Sequence, residues 1–203
     1  MIQRSLLLMV FVLLFSIGDV PIGLAATNDP SSFISDLGGR ALASMPNGNT
    51  AAVRQGLFRQ LFRQYFDVEA CARAALGPYW LKATAQQRQE FVELYADYVA
   101  IGYSTAFTAL GGESFKIVGN RPDKEGVIVT SRIEIHGAAP ITLDWQLNST
   151  NHGYKVTDVT VDGISMASRQ HSELISVLQR NGGQMSALLV AMRDKNASNG
   201  IIR

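Results

Sequence analysis

Apolar residues recur along this chain in two different periods, and the change from one to the other divides it. Ahead of both lies a near-continuous apolar run of 12 residues, Leu6 to Ile17, led by Arg4. That length suits the core of a secretory leader, about 7–15 residues, and falls short of the ~20 needed to span a bilayer. Gly23-Leu24-Ala25-Ala26 offers a small-x-small cleavage site, so residues 1–25 are expected to be a leader. An uncleaved anchor is the alternative, because Val20 and Ile22 could lengthen the span.

After the leader the period is helical. Asp29-Pro30 reads as an N-cap and first helical position, and Phe33, Leu37 and Leu42 carry a helix to about Met45, where Pro46-Asn47-Gly48 breaks it. The next helix has two adjacent stripes at spacing four, Val53-Leu57-Leu61-Tyr65 and Phe58-Phe62-Phe66, which make its buried face wide. Asp67 can cap a short helix to Leu76, ended by Gly77-Pro78. Thr84 and Gln87 form a capping box opening a helix to about Leu110, with Phe91, Leu94, Tyr98 and Ile101 on one face and Glu90, Glu93 and Asp97 elsewhere on its surface. Beyond Val99 that helix is almost free of charge, which predicts burial on most sides.

From Ser114 the period becomes two. Val127, Val129, Ile133 and Ile135 alternate with polar residues, as do Ile141, Leu143, Trp145 and Leu147. Asn151-His152-Gly153 is a hairpin turn, and the apolar parity slips near Asp158, which predicts a bulge. Short connections make the strands antiparallel neighbours. Two helices follow, Met166 to Asn181 and Gln184 to Asp194, and a polar tail, 195–203, is expected to be frayed and flexible. The pattern predicts an α+β fold in which helices pack on one face of a curved antiparallel sheet, an arrangement that can enclose a greasy cavity.

Composition narrows the class. The 203 residues are 47% hydrophobic and 17% charged, so residues 26–194 suit a single globular domain. With 18 basic and 17 acidic residues there is no general attraction to nucleic acid. One cysteine, Cys71, rules out an internal disulfide, CxxC redox chemistry and Cys-rich zinc sites.

Catalytic motifs are sparse. His136, His152 and His171 stand far apart with no helical-spacing partner, and no P-loop occurs. Gly163-Ile164-Ser165-Met166-Ala167 resembles a nucleophile elbow, but that elbow belongs to a parallel sheet, and Ser165 reads better as a helix N-cap. Asp67, Asp144, Asp158 and Asp162 are the candidate bases for a cavity enzyme acting on a hydrophobic small molecule, and each also has a capping, turn or wet-face reading. Arg54, Arg59 and Arg63, with Arg40, fall in an interval from Asp36 to Asp67 that has no acid between. They form either a patch for a headgroup or an acidic partner, or a solvated helix face.

Several segments together carry a family likeness. Tyr65-Phe66-Asp67-Val68, Ala72 to Gly77, Trp80, Ala83-Thr84, Gln87 to Phe91, and the turn Asp158-Val159 with Asp162-Gly163-Ile164-Ser165-Met166 resemble the periplasmic MlaC or toluene-tolerance family of lipid-transport proteins. The likeness covers about residues 30–194. Asp162 in place of the usual Glu, Gln170-His171 in place of Tyr-Arg, and Arg180 to Gln184 look closer to the hopanoid-associated HpnM branch. The resemblance implies an NTF2-like α+β carrier in the periplasm, non-catalytic and without cofactor or metal. Its implied ligand is a phospholipid or hopanoid, and its implied partners are an inner-membrane ABC transporter (MCE-type) complex and an outer-membrane lipoprotein complex. Candidate lipid-lining residues are then Phe91, Leu94, Tyr98, Ile101, Tyr103 and Phe107 on the long helix, Val129, Ile133, Leu143 and Trp145 on the sheet, and Ile164 and Met166 at the turn. Tyr103 matches a tyrosine the family carries on this helix. Plain core packing is the alternative for each.

Overall fold

The computed structural model describes residues 29–43, 49–110 and 112–198, with side chains throughout except at 106–110, 112 and 113. The leader expected over 1–25 lies outside the described residues. Short polar side chains set the helix starts. Asp29 precedes α1 (Pro30–Ala43) and accepts from the Ser32 amide at 2.8 Å; Thr50 caps α2 (Ala51–Tyr65). Asp67 caps α3 (Val68–Leu76), its carboxylate 2.9 Å from the Ala70 amide. After Pro78 comes a single turn, α4 (Tyr79–Lys82), which the sequence pattern does not signal because four residues cannot display a period. The capping box ahead of α5 (Ala85–Leu110) forms in both directions: Gln87 N to Thr84 Oγ1 is 3.1 Å and Thr84 N to Gln87 Oε1 is 3.0 Å.

An antiparallel meander follows, β1 (Gly112–Asp123), β2 (Gly126–Ile135), β3 (Ile141–Thr150), β4 (Gly153–Val161) and the two-residue β5 (Ile164–Ser165), paired in that order. The expected bulge is present: Gln146 pairs Asp158 and Leu147 pairs Val156, leaving Thr157 as the extra residue on β4. Asp162 at φ 47° and Gly163 at φ 85° make the tight β4–β5 turn, where positive φ at both positions matches the strand twist. Then come α6 (Met166–Arg180), with Ser165 as its N-cap, and α7 (Met185–Ser198). The last helix runs past Asp194, where the sequence pattern predicts its end. Asn196 is buried there, its Nδ2 donating to the Leu94 carbonyl at 3.0 Å, a long-range bond that outweighs the polar character of the segment.

Two apolar clusters result. One is wholly helical, with Ala72, Leu76, Trp80, Phe91, Tyr95, Leu178 and Leu188 among its members from α3 to α7. The other joins α1 and α2 to the sheet through Ile34, Leu37, Tyr65, Val129, Leu147 and Val156. Gly38 is the point of closest approach of α1 to β1, since a Cβ there would stand 2.3 Å from the Phe115 ring. Between the layers the chain is pinned where the Asp67 amide donates to the Val156 carbonyl at 2.9 Å.

Candidate functional site

A cavity of about 640 Å³ opens between these two clusters. This is within the range of ligand pockets, ~300–1,000 Å³. One wall is α1 and α2, with Leu37, Ala41, Phe58 and Leu61; another is the second half of α5; the floor is the inner sheet face; and α6 with the end of α7 completes it. Phe66 and Phe115 meet the Trp145 ring edge-on at 6.5 and 6.2 Å, so aromatic rings form the floor. The Trp145 Nε1–H is satisfied by Ser131 Oγ at 2.8 Å, which leaves an apolar indole face toward the space.

Seven of the candidate lining residues border this cavity: Tyr98, Ile101, Tyr103, Ile133, Leu143, Trp145 and Met166. Four do not. Phe91 and Leu94 lie on the side of α5 turned to the helical cluster, and Val129 is sealed between sheet and α1. Ile164 is 61% exposed because β5 is an edge strand beyond the turn. The side chain of Phe107 lies outside the described residues. Sequence reasoning missed the α1 and α2 contribution, although the Phe58-Phe62-Phe66 stripe carries the signal. Among the described side chains of α5 beyond Val99, Gly102 and Thr105 are exposed rather than buried, because this stretch flanks the cavity opening rather than the core.

The arginine patch resolves differently from its expectation. Arg59 Nε lies 2.7 Å from Asp97 Oδ1, and Asp97, expected on the surface, is 1% exposed. Arg63 Nη2 lies 2.6 Å from Glu93 Oε2, and Arg54 donates to the Asn49 carbonyl. The acids come from α5, 30 and 38 residues further along the chain, a pairing that no local pattern reveals. None of the three arginines borders the cavity.

Polar groups in the cavity wall pair with one another. Gln170 accepts the Tyr95 hydroxyl and donates from Nε2 to Tyr103 Oη at 3.0 Å; the Tyr98 hydroxyl donates to Glu173. Burial, ahead of nearby negative charge, pushes the Tyr103 and Tyr98 phenols well above their ordinary pKa, so both remain neutral. Burial likewise pushes the Cys71 thiol up to about 12, which makes it unreactive. The four candidate bases have structural roles: Asp67 caps α3, Asp144 Oδ2 meets Arg121 at 2.8 Å, Asp158 accepts from Ser165 Oγ at 2.6 Å and the Ala167 amide at 3.0 Å, and Asp162 accepts from the Thr142 amide at 3.0 Å. None of them borders the cavity. Ser165 Oγ accepts the Ser168 amide at 3.1 Å, as an N-cap does. Among the described residues no cluster of three or more His, Cys, Asp or Glu could hold a metal ion, and no helix is long and apolar enough to cross a membrane.

Helices laid on an antiparallel five-stranded sheet, with a ligand-sized, mainly apolar space between and charge only at its edge, define an α+β protein with an interlayer cavity. The chain belongs to the MlaC protein family, whose sequence profile matches residues 40–194. It is 24% identical over 143 residues to the intermembrane phospholipid transport system binding protein MlaC of Haemophilus influenzae; the match covers 68% of this chain and 65% of that protein. In fold it is similar to the phospholipid-binding protein from Ralstonia solanacearum, solved in complex with a phospholipid: the TM-score is 0.73 at 20% identity, over 84% of this chain and 98% of the other.

Proposed function

We propose that this protein is a periplasmic carrier that binds a phospholipid by its tails in the interlayer cavity and passes it, without chemical change, between an inner-membrane ABC transporter complex and an outer-membrane lipoprotein complex. The observation that carries the reading is the cavity itself, lined mainly by apolar side chains and charged only at its exposed edge, which is the polarity of an amphiphile. At about 0.8 kcal/mol per methylene, two chains of ~28 methylenes in all would cost roughly 22 kcal/mol to expose, so a carrier must bury nearly all of them. At roughly 30 Å³ per water-sized group, the 640 Å³ holds about twenty such groups. Seating two whole chains therefore requires the gap between helices and sheet to widen. The names borne by the relatives point to the same cargo.

The test is to produce the full chain, purify the soluble form without detergent, and compare native and denaturing mass spectra with an organic extract. One phospholipid per chain, released intact on denaturation, is expected. A hopanoid in its place would change the cargo and keep the carrier. An empty protein that also takes no lipid from vesicles, or a product differing from the lipid supplied, would overturn the proposal.

A further inference from the structure

The charges of the cavity wall are gathered in one place. Among its described lining residues, Arg169, Glu173 and Lys195 are those with formal charge, and with Gly102 and Thr105 they are also the exposed ones. Two helices bring them together beside Tyr98. Glu173 accepts the Tyr98 hydroxyl, Arg169 Nε lies 3.4 Å from Glu173 Oε1, and Lys195 Nζ stands 4.7 Å from the centre of the Tyr98 ring. The rim thus holds two cations and one carboxylate. The rest of the described wall, Leu37, Ala41 and Phe115 included, carries no charge, so an amphiphile entering tails first leaves its polar end at Arg169 and Lys195. Glu173 is already engaged by Tyr98 and Arg169, the first of which chiefly holds its carboxyl below the ordinary range and therefore ionised at neutral pH.

From this placement we infer that Arg169 and Lys195 form a headgroup seat that favours lipids of net negative headgroup charge over zwitterionic ones. The inference rests on the carrier reading and specifies its cargo. A phosphodiester without a compensating ammonium gains from both cations, whereas a zwitterionic headgroup sets its own ammonium against them, with only an engaged carboxylate to receive it.

The experiment offers the full-length protein vesicles of equimolar phosphatidylglycerol and phosphatidylethanolamine and reads the ratio of the two lipids bound by native mass spectrometry. At low salt the phosphatidylglycerol complex should exceed the other by about three- to ten-fold, the scale of two solvent-exposed charge contacts. The excess should fade at high salt as the contacts are screened. Arg169→Gln with Lys195→Gln should bring the ratio near one, and Glu173→Gln should raise it. Arg73→Gln, an exposed cation paired to Glu69 on α3, should leave it unchanged. A wild-type ratio near one, or a preference that survives the double variant, overturns the inference while leaving a carrier in place. Uptake of neither lipid by the wild type is a different failure, and removes the carrier reading with it.

Discussion

The helical cluster and the helix–sheet layer are built from the same residue types, yet one is solid and the other hollow. In the helical cluster small side chains let the backbones close: Ala72, Ala75 and Ala96 have no exposure and separate the larger Phe91, Leu76 and Leu178. Across the other layer the rings are large: Phe66, at the end of α2, meets Trp145 of β3 edge-on across the gap, and Phe115 of β1 flanks the same indole on the sheet. At Gly38, where there is no side chain to intervene, α1 presses onto the Phe115 ring. Apolar character decides that a face leaves water; the alternation of sizes across the gap decides whether the space behind it is filled.

Truncation exposes that difference most strongly. In protein stripped of lipid, Phe91→Ala removes a fully buried ring from a filled cluster and should cost about 3–5 kcal/mol. Leu143→Ala, at a wall that already faces empty space, should cost about 2 kcal/mol or less, because fewer packed atoms are lost. Denaturant unfolding of both variants makes the comparison, and equal losses would mean that the cavity collapses when empty. Next comes the ion pair joining α2 to α5. Arg59→Met strips the buried Asp97 of its cation and should cost about 2–3 kcal/mol. The same change at Arg63, whose partner Glu93 is 42% exposed, should cost under about 1 kcal/mol. Similar losses at the two sites in thermal melts would contradict this ranking.

The smallest effect belongs to the rim. Tyr98→Phe deletes the hydroxyl that Glu173 accepts and, in a site open to solvent, should cost under about 1 kcal/mol at neutral pH. Its pH dependence has a definite sign. The folded carboxyl is held below its ordinary 4.5, so this stabilisation is complete above that value and disappears as pH falls through the lowered one. The wild type's melting advantage over Tyr98→Phe should hold steady from neutrality down to about pH 5 and shrink progressively as the pH falls below the ordinary 4.5. A difference that persists undiminished in acid would show that Tyr98 acts through packing alone.

Much of the architecture was legible because its signals are local. Caps at Thr84–Gln87, Asp67 and Ser165 each bind an amide within three residues, and the bulge beside Asp158 announced itself as a slip in a period of two. The cavity was half legible. The stripes named Tyr98, Ile133, Leu143 and Trp145 as facing the interior, but nothing in a stripe separates them from Phe91 or Val129, which also face inward and touch no space.

By itself, then, the amino-acid sequence determined the order and type of all but the shortest elements, their inward faces and the family to which the chain belongs, because periodicity and capping act over a few residues. Tertiary structure alone decided which inward faces enclose a void, that Asp97 and Glu93 claim the arginines of α2, and that Arg169, Glu173 and Lys195 meet at one edge of the cavity. Those outcomes depend on side chains brought together from helices and strands distant in sequence, and on the sizes that meet across the gap between layers, which no spacing along the chain encodes.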